Sequence, residues 1–571
     1  MTLARLRIPR VALLAAFTIV TFGAPTLATA ASVSNETPAA VSARCTAEGT
    51  ERTVDGVLQR CTRNAMGVLR WKSAPSSSTS AAKVLLMPNV GYTDYMSSAI
   101  ALTALRNGSA IVSGKFEGST TIGSFIVREN QPFWGNKPDY RDIIEDRYLA
   151  RISPDFEWAA AERFGGSGPT LWGAIGPTIA LSDGSTIVTG RWRGEIALGT
   201  KRMAASTPRD DTYGITSNTY FGRLMPDGSW AWADGVGGIG GSAIQSAVET
   251  ADGSILLSGW FRDVAVTDYL KSENVARKHF FMVVSKDGTN KRSWLIPTTL
   301  TIPGAATNEG ASLDFQIVSS LADGSALVVG SYCGTVTLGA LSLPSFSKSA
   351  GQKGDCGSFV ARIRADLSFE WVREVEQTQP VESKVRKNSS IFGATVAPDG
   401  DVLVFGSLRN GDWKFGKKVV KNSGQGEFVA RIDPQGTWRW VQRFPVEQIG
   451  YNILYDVAAT PDNGVVVIGN IYQRSVTLGK LRFDAGVGGD GFAAKLNAAG
   501  NWVWVAGTKT NTDKESDVGT FWEDVDVAAD GTVMVAGTIT GKVTFGKTVI
   551  PTKDWELTGF VARLSPDGAW K

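Results

Sequence analysis

The stretch Asp252-Gly253-Ser254-Ile255-Leu256-Leu257-Ser258-Gly259 couples a tight-turn signal to a short apolar run closed by glycine. Asp-Gly suits a two- or three-residue hairpin turn, because glycine accepts positive φ, and the Ile-Leu-Leu run fits a buried strand. The same phrase begins at Asn107, Asp183, Asp252, Asp323, Asp399, Asn463 and Asp530. Its turn glycines, Gly108, Gly184, Gly253, Gly324, Gly400, Gly464 and Gly531, are spaced 76, 69, 71, 76, 64 and 67 residues apart. A recurring unit near 70 residues is long enough to be a whole sheet.

Two further markers keep step with the first. An aromatic-led run follows each turn, as YLARI at Tyr148, YFGRL at Tyr220, FVARI at Phe359 and Phe428, FAAKL at Phe492 and FVARL at Phe560, with the third copy, FFMVV at Phe280, lacking the basic residue. A second turn and a tryptophan run come next, as in Pro226-Asp227-Gly228-Ser229-Trp230-Ala231-Trp232. Each copy therefore predicts four strands: A before the first turn (Thr178 to Leu181, Tyr455 to Thr460, Val525 to Ala529), B the apolar run, C the aromatic-led run and D the tryptophan run. No helical periodicity of any length follows residue 30.

Such a sheet leaves two apolar faces. Seven in succession over residues 83–571 predict an all-β, seven-bladed β-propeller of four-stranded antiparallel blades, in which radial packing covers those faces. An open solenoid and two smaller propellers are the alternatives. The pattern of DGS turn, glycine-closed run, FVARL run and G-x-W-x-W run resembles the seven-bladed repeat of exported and surface bacterial proteins, over nearly all of 83–570. That resemblance implies a fold and brings no catalytic residue with it.

Arg5, Arg7 and Arg10 precede the apolar stretch Val11 to Ala24 and the small-residue site Ala28-Thr29-Ala30, which predicts a signal peptide over 1–30, cleaved before Ala31. Without it, basic and acidic residues balance at 55 each, which argues against a nucleic-acid partner held by phosphate contacts. A secreted or cell-surface chain with no later membrane-spanning segment fits four cysteines paired locally, Cys45 with Cys61 and Cys333 with Cys356. After a tail at 31–44, residues 45–72 read as a small module that needs a staple to fold, and 73–82 as a Ser-rich linker. The module resembles a short Cys-paired motif of exported actinobacterial proteins, which names no activity.

Candidate chemistry is sparse. A single histidine, His279, excludes a His-ligated metal cluster, and no Gly-rich loop leads into a helix. No cofactor is implied, and no residue is assigned a catalytic or metal-binding role. Asp524, Asp526 and Asp530 lack the spacing of a calcium loop. The strand C cations Arg151, Arg223, Arg362, Arg431, Lys495 and Arg563 lie third from the axis and read as turn partners. Phe116, Trp192, Phe261 and Tyr332 share their slot with Leu408, Ile471 and Ile539, so they read as packing. The expected function is non-enzymatic binding of a protein or cell-envelope glycan by the face that carries the long B–C loops. The alternative is a polysaccharide hydrolase or lyase using acids near the axis, from Asp314, Asp456, Asp524 and Asp526.

The seventh copy reaches Ser565-Pro566-Asp567-Gly568-Ala569-Trp570 without a D strand, while Lys83 to Met87 stands before the first A strand. The expectation is that Lys83–Met87 pairs with Phe560–Leu564 and closes the ring.

Overall fold

The computed structural model describes the chain from Ala82 onward, apart from 89–96, 117–118, 129–145, 165–173, 193–194, 205–217, 237–240, 262–277, 297, 302–311, 344–355, 379–387, 410, 422–424, 445–452, 472–474, 487–488, 511–518 and 553–556. Before Ala82 it describes the backbone of 51–54, 57–63 and 69–73, which forms a three-stranded sheet. The expected signal peptide and Cys45 lie outside the described residues, as does the side chain of Cys61.

Every element among the described residues is a strand. Each repeat copy supplies an antiparallel sheet in the order A–B–C–D, here numbered one to seven after its copy. Sheet three is Ser242–Glu249, Ile255–Phe261, Lys278–Val284 and Lys291–Leu295. The other A strands are Ser97–Ala104, Ala174–Ala180, Ser312–Ser320, Asn388–Val396, Ile453–Ala459 and Gly519–Val527. Each A strand packs against the next, and that of sheet seven against that of sheet one.

The Asp-Gly-Ser phrase makes the turn it predicts. Gly253 sits at φ 78°, its N–H donates to Thr250 O at 2.9 Å, and Asp252 Oδ1 accepts the Ser254 N–H at 3.0 Å. In sheet six the left-handed residue is Asn463, at φ 60°, rather than Gly464. Asn tolerates that conformation, so the turn slides one residue against the expected alignment.

Sheet seven is Gly519–Val527, Val533–Thr540, Thr558–Leu564 and then Val84–Met87. Val84 pairs with Ala562, Leu85 with Val561, Leu86 with Phe560 and Met87 with Gly559. Leu85 and Met87 are buried toward sheet one and Val84 and Leu86 are half-buried toward sheet six, so this strand is packed on both faces. Ala82, placed in the linker by composition, is buried and exchanges two 2.8 Å hydrogen bonds with Thr548, while Ser73 lies in a strand.

Neighbouring sheets are clasped by the residues that the repeat preserves. The indole N–H of Trp232 donates to Lys286 O at 3.0 Å, Trp440 to Ala498 O at 2.9 Å and Trp504 to Pro566 O at 2.9 Å, each from strand D to the C–D turn of the next sheet. The strand C cations face turns, as expected. Arg223 pairs with Asp183, Arg362 with Asp323, Arg431 with Asp399 and Asp401, and Lys495 with Asp462. Arg223 also donates to Lys286 O at 2.7 Å and Arg431 to Asn463 O at 2.6 Å, which ties each turn to the following sheet.

The B–C excursions carry short hairpins. Thr335–Leu338 pairs with Thr298–Thr301 beyond strand D of sheet three, Trp413–Phe415 with Glu376–Gln377, and Lys542–Phe545 with Thr508–Thr510. These hairpins lock the rim between sheets. At the base of one, Cys333 and Cys356 face each other in register and form a disulfide, with Cα atoms 4.2 Å apart. Non-reducing peptide mapping is expected to recover that pair, and replacing both by Ala should cost roughly 3 kcal/mol in denaturant unfolding, from the loop entropy returned to the unfolded chain. An unchanged midpoint would show the bond to be dispensable.

Candidate functional site

The ends of strands B and C that carry the long excursions form a layer in which the repeat ceases to be regular. One residue after the glycine of strand B faces one residue before the aromatic of strand C. The pairs are Lys115–Arg147, Arg191–Thr219, Trp260–His279, Ser331–Ser358, Ser407–Glu427, Asn470–Gly491 and Thr538–Gly559. Sheets one to three therefore carry cations, an imidazole and an indole, while sheets four and five carry hydroxyls and the carboxyl of Glu427. Asp314 belongs to this layer too, opposite Ser331, and accepts the Gln245 amide at 3.2 Å. Charge is thus divided unevenly around this layer.

The slots of sheets two and three meet. The Arg191 guanidinium lies 5.6 Å from the centroid of the Trp260 ring, one sheet onward. Arg191 is exposed, and Trp260 and Lys115 are half-buried. The next residue along strand B points the other way: Phe116, Trp192, Phe261 and Tyr332 are buried with Leu408, Ile471 and Ile539, as their packing reading requires. Alternation from that slot was the signal that pointed to Lys115, Arg191 and Trp260, which the sequence reading missed. His279 is buried, its ring 5.1 Å from that of Phe315.

Below this layer a β-bulge interrupts the A strands, between Ala99 and Ala101, Ile244 and Ser246, Ile317 and Ser319, Ile391 and Gly393, Leu454 and Asp456, and Trp522 and Asp524. A bulge turns one residue out of alternation. The residues so displaced include Gln245, Phe392, Tyr455 and Glu523, all half-buried. Burial pushes the Glu523 carboxyl up to about 7, against the pull of Lys115 and with a further push from Asp524. Burial also holds Glu427 well above the usual carboxylate range, although its Oε2 accepts the Leu454 N–H at 2.9 Å.

Of the four axial aspartates, Asp456, Asp524 and Asp526 come together and Asp314 does not join them. Burial, with the Asp456 charge beside it, holds Asp524 well above the usual carboxylate range, and burial raises Asp456 to about 7. Asp456 Oδ2 accepts the Val525 N–H at 3.2 Å, Asp524 Oδ2 the Leu102 N–H at 2.8 Å and Asp526 Oδ2 the Ala104 N–H at 2.8 Å. All three are at most 3% exposed. A glycosidase needs two carboxyls about 5–10 Å apart with substrate between them. Carboxyls sealed under the next strand's backbone, each holding one of its N–H groups, instead join sheets.

No family model and no curated protein matches the chain. Similar solved structures are distant. An ulvan lyase of a polysaccharide lyase family is 9% identical, with a TM-score of 0.39, covering 84% of this chain and 96% of its own. A Dyadobacter fermentans protein of unknown function is 14% identical, with a TM-score of 0.33, covering 68% and 93%. The β-propeller domain of the Trilobed protease from Pyrococcus furiosus is 8% identical, with a TM-score of 0.31, covering 67% and 83%. The chain is all-β and propeller-like, and these neighbours say nothing of its ligand.

Proposed function

We propose that this is a secreted, non-enzymatic seven-bladed β-propeller that binds an anionic cell-envelope glycan, one bearing carboxylate or sulfate groups. The seven-bladed ring is supported by the succession of packed A strands and by Val84–Met87 completing sheet seven beside sheet one. Secretion is supported by the signal-like first thirty residues and by the Cys333–Cys356 bond, which suits an oxidising compartment.

The observation that carries the ligand is the Arg191 guanidinium over the Trp260 ring, with Lys115 at the equivalent position of sheet one. An indole face takes the C–H surface of a sugar ring, and guanidinium and ammonium groups pair with its anionic substituents. In sheets four to seven the same slot holds Ser331, Ser407, Asn470 and Thr538, which offer neither. A glycan array followed by titration calorimetry tests this. Trp260→Ala and Arg191→Ala are each expected to weaken binding to uronate- or sulfate-bearing glycans about tenfold, with unchanged thermal midpoints. Neutral glycans bound equally well, or a protein captured from envelope extract and held by both variants, would overturn the assignment.

A further inference from the structure

We infer that the junction joining sheets six, seven and one is a latch that loosens as pH rises through neutrality. Three carboxyls take the inner-edge backbone N–H groups of Val525, Leu102 and Ala104: Asp456 spans sheet six to seven, and Asp524 and Asp526 span sheet seven to one. Between sheets two and three the single carboxyl of Glu249 takes the Ser182 N–H, and between five and six that of Glu427 takes the Leu454 N–H, while hydroxyls serve the other junctions. Thr103 meets Thr178 at 2.7 Å between sheets one and two, Ser246 Oγ accepts the Ile317 N–H at 2.7 Å between three and four, and Ser331 Oγ accepts the Ile391 N–H at 3.3 Å between four and five. Hydroxyls do not titrate in the neutral range, whereas three buried carboxyls gathered at one junction raise one another and do.

The groups around the latch do not neutralise a second negative charge. Strand Ser97–Ala104 of sheet one and strands Val465–Ile471 and Val533–Thr540 bring no titratable side chain. Tyr455 and Glu523 are on the A strands themselves, Glu427 and Asp490 come from strand C of sheets five and six, and Lys115 acts on Glu523. Lys495, on that same strand C, is committed to Asp462. Burial and mutual repulsion keep a proton on the Asp456–Asp524 pair and raise Asp526 to about 8.

The sign follows from proton counting. Above about pH 4 the unfolded carboxyls are ionised while the folded ones still hold protons. Stability contributed by the latch therefore falls as pH rises, until the folded groups ionise as well. Then two carboxylates face each other without water, and the backbone of sheets seven and one must part to hydrate them.

Hydrogen exchange of the intact protein at pH 6 and pH 9, corrected for intrinsic rates, tests the latch. Peptides covering 97–104 and 519–527 are expected to lose protection at least about tenfold more than the peptide covering 312–320. Asp524→Asn, which keeps an acceptor for Leu102 and supplies a donor to Asp456, is expected to remove most of that difference, and Asp526→Asn part of it. If the protein loses protection uniformly, loses none, or keeps the same local profile in both Asn variants, the latch is wrong. Should a variant fail to fold, the wild-type profile at the two junctions still decides.

Discussion

Removing residues 83–88 is expected to abolish cooperative folding, whereas a chain beginning at Ala81 should keep the thermal midpoint of the mature protein. The deleted strand covers Thr558–Leu564 and would leave that strand an exposed edge. Burial of Leu85 and Met87 contributes about 1.5–3 kcal/mol each, and each lost ladder hydrogen bond adds about 1 kcal/mol. The Lys83 N–H also donates to Lys571 O at 2.7 Å, and Lys83 pairs with Glu157 of sheet one. The loss is comparable to the whole stability of an ordinary domain. Calorimetry of the two truncations decides. A two-state transition near the mature midpoint in the 83–88 deletion would show that sheet seven does not depend on this strand, and a large drop on removing 31–80 would show that the Cys45–Cys61 segment docks on a sheet.

The repeat was legible because its markers answer to local physics. Asp-Gly-Ser is a turn wherever it stands, and a glycine-closed apolar run is a strand. The limits of the A strands were less legible. Val525 to Ala529 was expected, and Gly519–Val527 is observed. The bulge between Trp522 and Asp524 breaks the alternation that marks a strand, so the first half of the segment carries the wrong period. Nothing in the spacing of the strand D tryptophans shows that an indole N–H reaches a carbonyl of the next sheet.

The site was less legible than the fold. Asp456, Asp524 and Asp526 were visible as acids of A strands, yet their meeting depends on contact between sheets some 70 residues apart in sequence. Lys115, Arg191 and Trp260 were passed over because each is unremarkable within its own copy. They stand out only when all seven copies are aligned on the strand B glycine and the departures are read instead of the consensus.

Gly491→Ala is expected to be among the most damaging single-methyl substitutions in the chain, at about 3 kcal/mol. Gly491 is the second residue of strand C of sheet six, with an extended backbone, so the cause is space and not dihedral freedom. A Cβ there falls inside the Trp522 indole of sheet seven. That indole cannot retreat: Trp522 is fully buried, with Phe560 at 6.4 Å and Trp570 at 6.0 Å. Its backbone is fixed as well, since the Trp522 N–H donates to Asn470 Oδ1 at 3.0 Å. Nor can Gly491 shift outward, because its N–H donates to Thr520 Oγ1 at 2.6 Å. The methyl must therefore wedge sheets six and seven apart beside the latch. Pairing Gly491→Ala with Trp522→Phe separates this cause from a backbone effect: the smaller ring makes room, and the double variant should lose at least about 1 kcal/mol less than the sum of the two single losses. Additive losses in denaturant unfolding would mean that the glycine serves the strand itself and not the approach of the indole.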